Sequence, residues 1–369
     1  MIKTILSNTD LPIKKRLKNL LFYYSRKRGA EKSWSQRHER VFSANETYRT
    51  ACDEQVEAEH QNRWAVFRKN VDLDTLRICA NMSGESDARM VPEDIFVSDI
   101  EPTLMDNESA HFFSHKSFYN RWFPDGTFPE SFLHGIEGRY LDSDLKEIHF
   151  DELSQKAGTL SFPVVMKPNV DSFGGQDVFI VKSAEELIHR CRESQDFVVQ
   201  ERVLQHHFFE KFNPVGLNTI RVYIYKSVKD NTPHVLSMAL RMGKGGSLDN
   251  ETSGGIHTRI RENGFLNRYA VDKYGTKYTE HPDTGYTFDI QVPAHEELKQ
   301  FCLDVAGNVF FARIIGLDVA RDREGNWKVI EINTQGHTIR FSQYGGKPFF
   351  GEFTDEVIEY CKTNHWALQ

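Results

Sequence analysis

The residues most able to do chemistry stand in IIGLDVARDREGNWKVIEIN, residues 314–333. Two short β-type runs, 317–320 and 327–332, flank a polar turn at Glu324-Gly325-Asn326. The first run carries Asp318. The second carries Glu331 and Asn333, two apart and so on one face of a strand. An Asp, a Glu and an Asn on adjacent strands form an oxygen cage suited to a hard divalent cation. Mg²⁺ usually combines one or two such carboxylates with nucleotide phosphates. The plain alternative is a solvated hairpin whose acids face water.

Other side chains upstream bear on that choice. Lys167 ends an apolar run, FPVVMK, and is followed by Ser172, Phe173, Gly174 and Gly175. Glycines let backbone N–H groups approach a phosphate closely, and a lysine supplies compensating charge. GxxxxGK[ST] is absent, so this is not a P-loop. In FVVQERV, the strand at 197–201 leaves through Gln200, Glu201, Arg202 and Val203, whose backbone could read a purine edge. Arg221 and Arg241 sit within strand-like runs, where a buried arginine needs an anionic partner, either a carboxylate or a phosphoryl group. Asn218 and Thr219 precede Arg221 and could add donors. His257 could act as a general base, although a structural role is the ordinary one for it and for His206, His207 and His337. Taken singly, each signal also reads as a plain hairpin, strand end or ion pair.

Their order along the chain resembles the ATP-grasp superfamily over about residues 111–369: Lys116, Lys167, the glycine loop, the QERV exit, Arg221, Arg241, Asp318, then Glu331-x-Asn333. The runs RMVPEDIFVSDIEPTLMDN, NTIR and GLDVA…EIN, with the R-x-G…DN…GG-I segment, are similar to its sugar-transfer-associated subgroup. The resemblance implies ATP and two Mg²⁺ ions. Lys116 and Lys167 would contact phosphates under a loop containing Ser172, Gly174 and Gly175. Gln200, Glu201 and Val203 would form the adenine hinge, and His206, His207 or Glu210 would contact ribose. Arg221 and Arg241, aided by Asn218, would hold the transferring phosphoryl group, and Asp318, Glu331 and Asn333 would bind metal. The implied reaction joins a carboxylate to an amine through an acyl phosphate, with a sugar acid or amino sugar and an amino acid as substrates in surface-polysaccharide synthesis. A small-molecule phosphotransferase and a non-catalytic ATP-binding scaffold are the competing functions.

Positioning such residues requires an α+β clamp. The expected fold is two α+β subdomains, 111–203 and 204–369, preceded by a helix-rich region and connector at 1–110. Strands are expected at 131–140 (a pair turning at Glu137-Gly138), 162–167, 177–182, 197–201, 219–225, 235–241 and 256–260. Helices are expected at 12–24, 31–69 (one or two), 107–123, 142–156, 184–192 and 293–315, and an extended connector at 90–102, where two prolines flank apolar residues. At 369 residues the chain can bury a large core. No run is apolar enough to span a bilayer, no secretory signal is evident, and five scattered cysteines fit a reducing cytoplasm. Residues 1–40 hold 11 Lys/Arg against three Asp/Glu, while the whole chain is −7. That acidity disfavours nucleic acid as a partner. The helix at 12–24, with Ile13, Leu17, Leu20, Leu21 and Tyr24 opposite Lys14, Lys15, Arg16 and Lys18, could rest on an anionic membrane or dock on its own domain.

Overall fold

The computed structural model describes residues 2–170, 177–246, 249 and 254–369. The expected glycine loop, with Ser172, Gly174 and Gly175, lies outside them. Two antiparallel sheets carry the fold. The first has six strands: β1 (Ser131–Ile136), β2 (Arg139–Asp142), β3 (Glu147–Ile148), β4 (Val164–Lys167), β5 (Phe179–Val181) and β6 (Phe197–Glu201), in the order β3-β2-β1-β6-β4-β5. Glu137 and Gly138 take φ of 52° and 77°, the left-handed pair that matches a tight hairpin to strand twist. Helices Phe150–Ala157 and Ala184–Glu193 cover one face, packing Leu153, Ala157, Leu187 and Cys191 on Leu133, Val164, Met166 and Phe197. Ser183 and Glu186 cap the second helix reciprocally: Ser183 Oγ accepts from Glu186 N–H, and the Glu186 carboxylate accepts from Lys182 N–H.

The second sheet has seven strands: β7 (Thr219–Lys226), β8 (Pro233–Met242), β9 (Ile256–Ile260), β10 (Ala270–Val271), β11 (Lys277–Tyr278), β12 (Ile314–Arg321) and β13 (Trp327–Asn333). Their order is β11-β10-β9-β8-β7-β12-β13. Strand alternation divides its faces. Ile220, Val222, Ile224, Leu240, Ile315, Leu317 and Val319 point toward helix His295–Gly307 and the aromatic turns at 110–128. On the opposite face Tyr223, Tyr225 and Ile314 pack under Ile95, Phe96, Ile100, Phe349 and Phe350. Further along that same face the alternation delivers Arg221 and Asp318 in place of aromatics, and there the cover stops.

Residues 1–110 pack directly on this sheet. Helix Ile13–Ala44 runs 32 residues unbroken, and Val41, Phe42 and Tyr48 join Met82, Met90, Val271 and Tyr344 in one cluster.

Four local expectations change. Residues 93–104 are helical and buried, not extended. Pro92 and Pro102 both fall at N-terminal positions of helical segments, where a missing N–H costs least, and a π-turn, Phe96–Ile100, absorbs the second proline. The expected helix at 107–123 is two 3₁₀ turns, Glu108–Ser114 and Lys116–Phe118, and one α-turn, Tyr119–Trp122, shaped by packing of Phe113, Tyr119, Phe123 and Phe128. The helix expected at 142–156 begins only at Phe150, because Asp142 ends β2 and binds the Asp144 and Lys146 N–H groups in a turn. The one expected at 293–315 stops at Gly307, since Ile314 and Ile315 are needed in β12.

Candidate active site

A cleft of about 550 Å³ opens between the two sheets. Its polar wall is set by register. Ala239 on β8 faces Arg221 on β7, Arg221 faces Asp318 on β12, and Asp318 faces Glu331 on β13. Three charged side chains therefore stand in one lateral row, with Arg241 diagonal to it on the same face. Arg221 grips Asp318 with two parallel bonds, Nε to Oδ1 at 2.6 Å and Nη2 to Oδ2 at 2.9 Å. Arg241 Nη1 adds a third to Oδ1 at 2.7 Å. Burial alone would raise the Asp318 carboxyl, but the two guanidinium groups outweigh it and hold it far below the ordinary carboxylate range.

Two lysines complete the wall. Lys116 is 1% exposed, and its Nζ lies 2.8 Å from Glu331 Oε1. Asn169, just beyond β4, positions that turn: its carbonyl accepts from Lys116 N–H and its side chain from Ser117 N–H. Lys167, 6% exposed at the end of β4, donates to Ile330 O at 3.1 Å. Burial, followed by the neighbouring Lys116 charge, pushes the Lys167 pKa down to about 7.

The other wall is apolar. Val178, Ile180, Leu204 and Val215 are all exposed large hydrophobics that line the cleft, a surface suited to a flat ring. Gln200, Glu201 and Val203 border it. Gln200 donates to Ser131 Oγ at 3.0 Å, and Glu201 is held by Lys328 and by Glu130 N–H. Among the described residues the Val203 N–H has no protein acceptor.

Asp318, Glu331 and Asn333 all line the cleft. Asp318 has both oxygens on arginines, and Asn333 directs its Nδ2 at Gly316 O, 3.3 Å away. Among the described residues no group of three His, Cys, Asp or Glu side chains could hold a metal. An ion here would thus rest on two carboxylates, an amide oxygen and ligand oxygens, a donor set that fits magnesium.

Asn218 corrects the expectation for it. It is buried away from the cleft lining, and its amide donates to Gln205 Oε1 and Phe209 O, tying the start of β7 to the preceding turn. Thr219 lines the cleft instead. Of the three ribose candidates, Glu210 alone borders the cleft, paired with Arg323 at 3.4 Å, while the His206 and His207 rings lie against each other at a tilt, 4.0 Å between centres. His257 is buried against Phe341, and His337 is held by Glu101 at 2.8 Å.

Asp249 was not singled out in the sequence. It lines the cleft, accepts from Thr219 Oγ1 and faces Arg241 Nη2 at 3.9 Å. Burial raises its pKa more than Arg241 lowers it. The only sequence signal was its place in the Asp-Asn pair between two glycine-rich runs.

Residues 180–352 match the family described as sugar-transfer associated ATP-grasp. No curated protein matches the sequence. Among solved structures, the ATP-grasp ligase PsnB in complex with its minimal precursor is similar at 14% identity, covering 69% of this chain and 63% of its own, with a TM-score of 0.40. An L-amino acid ligase from Bacillus licheniformis gives 13%, 70%, 49% and 0.35 in the same order. The D-alanine–D-alanine ligase from Coxiella burnetii gives 11%, 68%, 57% and 0.39. The chain spans less than two thirds of each of these structures. The matched family segment contains the row of Arg221, Asp318 and Glu331, and over that segment the chain is similar to the sugar-transfer associated ATP-grasp family.

Proposed function

We propose that the chain is an ATP-dependent ligase that joins a carboxylate to an amine through an acyl phosphate. One observation carries this reading: four cationic side chains, Lys116, Lys167, Arg221 and Arg241, converge on one cleft whose opposite wall is apolar. A triphosphate needs the first and an adenine ring the second.

In this reading Lys116 and Lys167 bind phosphate oxygens, and Val203 N–H with the neighbouring hinge carbonyls takes the purine edge. The substrate carboxylate attacks the γ-phosphorus, the bond to the β,γ-bridging oxygen breaks, and ADP leaves. Arg221 and Arg241 neutralise the charge that develops on the transferring group, so catalysis is mainly positioning and electrostatics. Asp318 fixes both guanidinium planes. An amine then attacks the acyl carbon, expelling phosphate, and Asp249 accepts the amine proton. Glu331 and Asn333, with Asp318 beside them, would hold magnesium, which when bound offsets phosphate charge. For substrates we propose a sugar acid or amino sugar and an amino acid, in surface-polysaccharide synthesis, following the family's association with sugar transfer.

A hydroxylamine trap tests the reaction. Hydroxamate that forms only with ATP and a carboxylate supports the ligase. ADP release with a phosphorylated hydroxyl product would replace it with a phosphotransferase, and nucleotide binding without ADP release would leave a scaffold.

A further inference from the structure

The helix Ile13–Ala44 turns Tyr23, Ala30, Trp34, His38 and Val41 inward. At 100° per residue, Ile13, Leu17, Leu21 and Tyr24 fall on a separate strip roughly a quarter-turn away. Their spacing of four, four and three residues makes one continuous stripe. These side chains do not dock on the protein's own body: Ile13 is 65% exposed, Leu17 49%, Leu21 71% and Tyr24 49%. Only Leu20 meets the small cluster of Ile5, Tyr23 and Ala367.

The stripe is bordered by cations on one side. Lys14 and Lys18 flank it there and are exposed, as is Lys15 on the far side of the helix, and among the described residues none of the three forms an ion pair. Lys18 also lies over Phe22 and Arg28 over Tyr24, at 5.7 and 5.2 Å from the ring centres. Asp10 is the sole acidic residue in the first 30. The balance of +8 over residues 1–40 leaves −15 for the remainder, so this end of the molecule is attracted to an anionic surface while the body is repelled from it.

We propose that this face rests on an anionic lipid surface, the helix lying in the plane of the interface with its stripe among the acyl chains and its lysines at the headgroups. The shape favours a bilayer over a folded partner. The stripe runs along the outside of one cylinder for about 17 Å, a convex form that a fluid interface can envelop. Apolar residues on one side with Lys and Arg beside them are the pattern of interfacial helices, and two weak signals together give stable attachment. No helix among the described residues is long and apolar enough to cross a membrane, so the attachment is peripheral. This inference is independent of the ATP reading.

The test is flotation of the purified chain with two vesicles, pure phosphatidylcholine and phosphatidylcholine with about 30% phosphatidylglycerol. Partitioning should be at least tenfold stronger on the anionic vesicles and fall at least tenfold in 0.5 M salt, since surface charges are screened within ~3 Å at molar salt. Leu17→Ser with Leu21→Ser should lower it at least tenfold. Lys14→Glu with Lys18→Glu should abolish the preference for anionic lipid. All four side chains are exposed, and an unchanged melting curve verifies the fold of each variant. Absence of binding to either vesicle overturns the proposal. So does concentration-dependent self-association, seen in sedimentation velocity, that the Leu17/Leu21 variant removes, because the stripe would then be a contact between copies.

Discussion

Lys167→Met should make the protein more stable and its nucleotide binding weaker. Lys167 is buried beside Lys116, and its pKa falls from 10.5 to about 7. At ~1.4 kcal/mol per unit, a depression of that size corresponds to roughly 5 kcal/mol of strain when the group is charged. The unfolded chain keeps this proton up to pH ~10.4 whereas the folded chain releases it near 7. The unfolded state therefore binds more protons between pH 7 and 10, and stability rises with pH across that window. The penalty is complete below pH 7. Methionine has similar length and no charge. It forfeits the bond to Ile330 O, about 1 kcal/mol, while the attraction to Glu331 is already contained in the depressed pKa. The expected net gain is ~1–3 kcal/mol at pH 6, shrinking toward zero or below at pH 9.5. Urea denaturation at the two pH values measures it. Titration calorimetry with ADP should show affinity falling ~10–100-fold, the worth of a charge-assisted bond. A variant that is less stable at pH 6, with the same pH slope as the parent, would refute the strain. Unchanged ADP affinity would refute the phosphate role.

Glu331→Gln should cut turnover by ~10²–10³ in the ADP-release assay. Glu331→Ala should also lower the urea midpoint, because Lys116 would be left buried without its anion, typically ~3–5 kcal/mol. Asp318→Asn should destabilise by a similar ~3–5 kcal/mol at neutral pH. The depressed carboxyl contributes stability above pH ~4 that is lost as pH falls further, so the gap from the parent should narrow in denaturation at pH 2–3. His38 behaves oppositely. Despite its burial, bonds to Asp74 and Glu93 raise it to about 10, so its contribution is complete below pH 6.5 and lost as pH climbs through 10. His38→Gln should flatten that alkaline decline, whose slope for one group is at most ~1.4 kcal/mol per pH unit.

The longer strands of both sheets were legible because apolar alternation survives wherever one face is core, whereas the two-residue strands β3, β10 and β11 are too short to show it. Residues 197–201 and 256–260 match to the residue. Boundaries failed where tertiary packing overrode local signals. At 93–104 the flanking prolines suggested extended chain, yet Phe96 and Ile100 had an aromatic face of the second sheet to cover. At 308–313 nothing in the sequence marks the break between helix and strand except an Asn after Gly307. In the site, residue types were legible and partners were not. Glu331 read as a metal-binding residue, but its carboxylate also answers Lys116, more than two hundred positions upstream. Asn218 looked like a donor beside Arg221, but strand alternation assigns that place to Thr219.

The partners decide how the clamp is held. Lys116 reaches Glu331, Lys167 reaches Ile330 O, and Lys328 reaches Glu201. All three contacts converge on β13, and each joins it to the first sheet or to the turn at its border. Successive residues of one strand thus face different duties: Lys328 holds the hinge, Ile330 its lysine, Glu331 the charged row. The short β13 is therefore the joint between the two units as well as the acidic wall of the cleft. A one-residue deletion in the Glu324-Gly325-Asn326 turn that shifts its register would turn Glu331 to the core face. It would break all three contacts at once, and the loss of nucleotide binding should then exceed that of any single lysine variant.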